Sequence, residues 1–124
     1  MKYLIDTNCV IYLAAQTFPA LNERVERTDR GEIGLSAITF AELSLGAALG
    51  KPPFNPMLDE LIRQMPVIPF DEEAARFYGK LPFRRGGFDR LLAGHALALG
   101  LTIITRNTRD FADIAGLRIE DWTR

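Results

Sequence analysis

An α/β fold with a short, mainly parallel sheet is what this sequence predicts. Two observations carry that reading. Short apolar, β-branched runs alternate along the chain with helix-length segments. Three of those runs lead closely into a polar or acidic residue, and ligands of open parallel sheets bind at the carboxyl ends of the strands. Tyr3-Leu4-Ile5 is the first run, a buried strand that ends at Asp6. Asp6-Thr7-Asn8 forms a turn whose side chains can cap the first helix, Val10 to Ala15. A second helix starts near Pro19, since proline suits a first turn. It turns Leu21 and Val25 inward and runs to Gly31, with its charged positions on a solvated face. Ile33-Gly34-Leu35 is the second strand, and Ser36 to Leu49 the helix after it. Lys51 to Pro56, with three prolines, is a loop too short to link domains. Asn55 to Gln64 is a helix with Met57, Leu58, Leu61 and Ile62 apolar, and Val67-Ile68 is a third strand. Asp71 caps a helix that reaches Leu81. Pro82 to Gly87 is a loop, and Phe88 to Leu99 is the most apolar helix, stopped by Gly100. Leu101 to Ile104 is the fourth strand, Thr105 to Asp110 is turn-like, and Leu117 to Ile119 is a weak last strand.

Composition narrows the class. With 124 residues, 48% hydrophobic and 25% charged, the chain is expected to be one globular domain, residues 1–124, that needs no disulfide to hold its core. Its formal charge of -1 provides no global pull toward nucleic acid, so any such contact must come from a local patch. Lys2, Lys51 and Lys80 are the only lysines among 15 cations. Arginine, the residue suited to forked phosphate contacts, therefore dominates. Cys9 stands alone, which excludes an internal disulfide and suits a reducing compartment. Met1-Lys2 runs straight into the first strand, so no secretory signal is expected, and no stretch approaches the roughly 20 apolar residues of a membrane span. The expected location is the cytoplasm.

Asp6, Glu42, Asp89 and Asn107 are all placed by this scheme at or near one edge of the sheet. Each has a capping reading. Asp6 fits an N-cap, Thr39-Phe40-Ala41-Glu42 matches a capping box, Asp89 suits a first helical turn, and Asn107 can cap the turn through Phe111. Together they point elsewhere. Asp6, Glu42 and Asp89 have apolar neighbours, and half-buried like charges repel unless a cation joins them. Oxygen ligands without histidine or cysteine favour Mg²⁺ or Mn²⁺, and a single histidine, His95, leaves little room for zinc. His95 shares a helical face with Leu91, Leu92 and Leu99 and reads as a core residue, as does Cys9 on the first helix.

Four segments resemble the motif blocks of PIN-domain nucleases, most closely the VapC-type toxins of bacterial toxin–antitoxin pairs. They are Leu4-Ile5-Asp6-Thr7-Asn8, Ser36 to Leu43, Phe88 to Leu97, and Thr105 to Phe111, in family order and spanning nearly the whole chain. The resemblance implies a three-layer α/β/α fold and a Mg²⁺-dependent endoribonuclease in which Mn²⁺ can substitute. It also implies a homodimer neutralised by a cognate VapB-type antitoxin. Asp6, Glu42 and Asp89 match the family's acidic metal positions. The fourth is Asn107, which brings no charge, and Asp110 is a candidate to supply it. Thr7, Asn8 and Ser36 match polar positions that support the acids, a role compatible with helix capping.

Metal-activated water attacking a phosphodiester is the chemistry expected of such a site, with Glu42 or Asp110 taking the proton. Arg84, Arg85, Arg90, Arg106 and Arg109 lie in or beside the two C-terminal blocks and are the candidate RNA-backbone contacts. For the antitoxin, the first two helices with Tyr12, Leu13, Phe18 and Leu21, alongside Phe54 and Met57, provide candidate apolar surface. Two rival readings exist. A phospho-acceptor receiver domain needs a lysine after a late strand, and none is there. A catalytically silent interaction module is opposed by the intact acids and left open by Asn107. The GxxxxGK[ST] and GxGxxG signatures are absent, so nucleotide hydrolysis and dinucleotide binding have no support.

Overall fold

Strands and helices alternate in the computed structural model, which describes residues 1–84 and 87–124. In chain order the described elements are β1 (Tyr3–Ile5), α1 (Thr7–Ala15), α2 (Pro19–Arg27), β2 (Ile33–Ser36), α3 (Ala37–Ala48), α4 (Asn55–Gln64), β3 (Val67–Ile68), α5 (Glu72–Gly79), α6 (Asp89–Leu99), β4 (Thr102–Ile104) and β5 (Ile119–Glu120). A single 3₁₀ turn, Thr108–Phe111, lies between the last two strands. Among the described residues no helix is long and apolar enough to cross a membrane.

The sheet order is β3-β2-β1-β4-β5, and every pair is parallel. The chain therefore builds outward from β1 through β2 to β3, then crosses to the other side of β1 for β4 and β5. The direction changes between β1 and β4, where Tyr3 faces Thr102 and Ile5 faces Ile104. All carboxyl ends share one edge, which brings Asp6 and Thr105 side by side: the Asp6 amide donates to the Ile104 carbonyl at 3.0 Å.

Period-two alternation divides the strands between two cores. Leu4 and Ile103 pack with Leu92, Ala93, Ala96 and Phe111 on the α6 side. Ile5 and Ile104 pack with Val10, Leu21, Leu43 and Leu58 on the side of α1 to α4. The result is the expected α/β/α arrangement, with buried Leu and Ile side chains contributing about 1.5–3 kcal/mol each.

Element boundaries depart from expectation at caps. The first helix begins at Thr7, not Val10, because Asp6 caps it through the Cys9 amide. The second stops at Arg27, well before Gly31. Thr28 turns extended there, its hydroxyl bonding back to the Arg24 carbonyl at 2.7 Å. The helix capped by Asp71 ends at Gly79 rather than Leu81, and the last strand lies at Ile119–Glu120 rather than Leu117 to Ile119. Trp122, deeply buried, seals the open end of the first core. Tyr3 meets its ring edge at 4.9 Å and the Arg24 guanidinium lies 4.4 Å above it.

Gly94 sets how closely α5 and α6 approach. A Cβ added there would sit 2.8 Å from the Tyr78 backbone, which cannot swing aside as a flexible side chain can. Since α6 begins with Asp89, this close approach also fixes where that carboxylate sits. Gly94→Ala is expected to lower unfolding free energy by about 1–3 kcal/mol in denaturant melts. An unchanged midpoint would show that the two helices separate at no cost.

Candidate active site

Asp6 closes β1 with its carboxylate 5% exposed and both oxygens engaged. Oδ1 accepts from the Cys9 amide at 2.8 Å and Oδ2 accepts from Thr105 Oγ1 at 2.6 Å. The capping reading of Asp6 is therefore correct and uses one oxygen, while a side chain from the neighbouring strand end orients the other. Sequence reasoning gives Thr105 no role of its own, reading it only as the start of a turn-like segment. It is fully buried, and its hydroxyl also accepts from the Asn107 amide at 3.0 Å, tying the last motif block to Asp6.

Glu42 does not act in a capping box. The helix begins at Ala37, upstream of where that motif would start it, and is capped by Ser36 Oγ through the Ile38 amide at 3.1 Å. Glu42 instead accepts from Thr7 Oγ1 at 2.7 Å, across from α3 to α1. Asp89 is the first residue of α6 and is half-buried. Burial pushes its carboxyl above the usual range, and the negative charges of Asp6, Asp110 and Glu42 push it further. Four carboxylates carried by different parts of the chain thus share one field. Among the described residues no lysine or arginine forms an ion pair with any of them.

The remaining expected positions separate. Asp110 lies exposed on the 3₁₀ turn, within the field that raises Asp89. Asn107 precedes that turn, exposed, with no side-chain capping bond. Asn8 is exposed on α1. Ser36 faces another way: besides capping α3, its hydroxyl is hydrogen-bonded to His95 Nδ1 at 2.8 Å. His95 is a core residue as expected, with Phe70 at 5.4 Å, and burial holds its pKa down against the opposing influence of Asp71. Burial pushes the Cys9 thiol up, which leaves it inert.

Of the five arginines, Arg90 requires correction. It is 6% exposed, binds both carboxylate oxygens of Asp113 and donates to the Pro82 carbonyl, so it is spent inside the fold. This fork ties the N-terminal end of α6, which bears Asp89, to the segment just past the turn that bears Asp110. Arg84 shares Asp113 at 3.2 Å but is half exposed. Arg106 is exposed with its guanidinium 5.0 Å over the Phe18 ring, and Arg109 is exposed on the 3₁₀ turn. Arg85 lies outside the described residues.

The donor set suits a hard divalent cation. Its candidates are carboxylate oxygens, its negative charge is uncompensated, and the sole imidazole and thiol are committed elsewhere. No trio of acids among the described residues already stands in a ligating arrangement, however. Beside Thr7 and Glu42 opens a groove of about 250 Å³, walled by Ile11, Leu43, Lys51 and Phe88. It continues past Pro52 and Pro53 into an apolar hollow of about 480 Å³ bounded by Ala14, Phe54 and Met57.

Comparison with known proteins agrees with this fold. The family model described as PIN domain matches residues 3–117. A tRNA(fMet)-specific endonuclease VapC of Shigella flexneri is 31% identical over 132 residues, covering 99% of each chain. Among solved structures, DNA-bound VapBC of Salmonella typhimurium superposes with a TM-score of 0.83 and is 30% identical over 98% of both chains. VapBC-1 of nontypeable Haemophilus influenzae superposes with a TM-score of 0.82 and is 31% identical over 100% of both.

Two tests address these contacts. Thr105→Val removes the hydroxyl while keeping the shape, leaving a buried Asp6 oxygen without its donor. Unfolding free energy should fall by about 1–3 kcal/mol in denaturant melts, with Thr105→Ser close to wild type. Equal stability of the valine variant would show that the bond contributes nothing. For Asp113, hydrogen bonding to Arg90 holds the carboxyl down to about 2, below its unfolded value near 4. A depressed pKa stabilises the fold above the unfolded value and ceases to do so as pH falls through the folded one. Asp113→Asn should therefore melt below wild type at neutral pH, with the gap closing between about pH 4 and pH 2. A gap independent of pH would contradict this ion pair.

Proposed function

The chain belongs to the PIN domain family, and from that premise we propose that it is a divalent-metal-dependent endoribonuclease acting as the toxin of a toxin–antitoxin pair. The observation that carries the reading is the unneutralised field around Asp89, to which Asp6, Glu42 and Asp110 all contribute. Residues 1–124 act as one nuclease domain, and the cytoplasm, where RNA and a free Cys9 thiol are both at home, is its proposed setting.

Asp6 and Asp89 would hold Mg²⁺ or Mn²⁺, with Glu42 as third ligand. Such an ion supplies positive charge against phosphate oxygens and lowers the pKa of water. The chain's own groups do the rest. Thr105 holds Asp6 in place, and Thr7 engages one Glu42 oxygen, Oε1. Glu42 or Asp110 takes the proton released by the attacking water. Asn107, at the fourth position, orients water through its amide. Asn8 lines the site, and Ser36 supports it from behind by fixing α3 against α6. Arg84, Arg106 and Arg109, with Arg85 as a further candidate, contact the RNA backbone.

The partner is a VapB-type antitoxin. Two of the structures similar to this chain are of VapBC. Of the apolar residues expected to face it, Leu21 is fully buried and serves the core instead. Phe54 and Met57 stand about half exposed in the hollow beside α1, the seat proposed for an amphipathic antitoxin helix. The toxin itself acts as a homodimer. A second reading, a PIN-fold module without catalysis, is favoured by one observation: no acidic trio is already closed around an ion site among the described residues.

RNA cleavage separates the two readings. The substrate of the Shigella flexneri relative makes initiator tRNA the first to test. Cleavage should require Mg²⁺ or Mn²⁺, stop in excess EDTA, and fall on the order of a hundredfold in Asp89→Asn. Gel-resolved cleavage that survives EDTA would remove the metal from the mechanism. No cleavage of any RNA by the metal-loaded wild type would favour the silent module.

A further inference from the structure

We propose that Phe88 and Lys51 form a subsite for the nucleotide next to the scissile phosphate, Phe88 stacking on its base and Lys51 meeting its backbone phosphate. The proposal rests on the endoribonuclease reading and names residues that reading does not use. Phe88 breaks two rules of folding stability at one position. It occupies the N-cap of α6, where it makes no side-chain capping bond and where serine, asparagine or aspartate would stabilise the helix. It also leaves 50% of a large aromatic side chain exposed. Among the described residues it has no aromatic or cationic partner that would repay either departure. Rules broken without compensation inside the fold point to a role outside it.

The surroundings say what that role is. Phe88 adjoins Asp89 in sequence and walls the same groove as Thr7 and Glu42, so a base lying against its ring would be linked to a phosphate at the carboxylates. At about 250 Å³ the groove is smaller than the roughly 300–1,000 Å³ of a site for a whole small-molecule ligand, and fits one base. Aromatic faces bind unpaired bases regardless of sequence, because every base has a π-face. Lys51, exposed on the proline-rich loop, lines the groove as well and brings a cation to a cleft whose one other charged wall residue among those described is Glu42. The groove shares Ile11, Pro52 and Pro53 with the hollow proposed for the antitoxin. Nucleotide and antitoxin therefore compete along a continuous surface.

Fluorescence titration of the full chain, in EDTA, with a short single-stranded RNA carrying 2-aminopurine tests the assignment without cleavage. Wild type should quench the probe on binding. Phe88→Leu, which keeps an apolar side chain and loses the ring, should bind about tenfold more weakly with the quench lost, and Phe88→Tyr should keep both. Lys51→Met should lower the salt dependence of binding by about one ion. If Phe88→Leu binds and quenches as wild type does, or loses affinity only for an antitoxin peptide, the subsite is wrong while the nuclease reading stands. A wild type that neither binds nor cleaves RNA would overturn both.

Discussion

Negative charge without a counter-charge is the constraint around which this structure is arranged. Asp6, Glu42 and Asp110 come from three different parts of the chain, yet each contributes to the field at the Asp89 carboxyl. Like charges in a half-buried setting cost stability, so a fold that brings them together must hold them there by other means. Parallel pairing of β1 with β4 does the first part, since it sets Asp6 and Thr105 at adjacent strand ends and lets a buried hydroxyl fix a buried carboxylate. The contact of Thr7 with Glu42 does the second, linking α1 to α3. The Arg90 fork does the third, by fastening the start of α6 to the segment beyond Asp110. Two of these devices are neutral hydroxyls and the third spends its cation on Asp113, so none brings a positive charge to the four acids. An unneutralised acidic field of this kind suits a cation supplied from outside, as the proposed function requires.

The same logic orders the surroundings. Close packing of α5 on α6 through Gly94 fixes the depth of Asp89, and the Ser36–His95 contact fixes α3 against α6 behind the site. On the open side, the groove past Phe88 leads away from the acids into an apolar hollow between α1 and the proline loop. One end of this surface is anionic and the other hydrophobic. A ligand that spans both must present a cation or metal-bridged phosphate at one end and apolar surface at the other. Under the proposed function, substrate and inhibitor would meet the protein at overlapping places.

Much of the fold is legible in the sequence because short buried strands leave short apolar runs, and because Asp6, Ser36 and Gly100 are strong punctuation for helix starts and stops. Helix ends are harder to place. Whether Thr28 ends α2 depends on a hydroxyl bonding back to the preceding turn, which competes with continuation on nearly equal terms. In the site, the acids are readable as candidates because their type suits a hard cation and the expected strand order puts Asp6, Glu42 and Asp89 at or near one sheet edge. Thr105 is not, because a threonine opening a polar turn has an ordinary explanation and its value comes from a carboxylate 99 positions away. Arg90 misleads for the same reason in reverse. Beside Asp89 it looks like a phosphate contact, but its partner Asp113 lies 23 positions on, beyond what local pattern can show. Leu21 is legible from helix phase, which already turns it inward, and its burial removes it from the partner surface.

Ion binding read through stability tests the central claim most directly. A ligand that binds only the folded chain raises its melting temperature in proportion to the logarithm of its concentration. Mn²⁺ should therefore raise the melting temperature of the wild-type chain. Asp89→Asn, which removes one charge from the shared field, should melt higher than wild type in EDTA and show little further gain with Mn²⁺. A wild type whose melting temperature is indifferent to Mn²⁺, together with an Asp89→Asn variant no more stable than wild type in EDTA, would contradict the account.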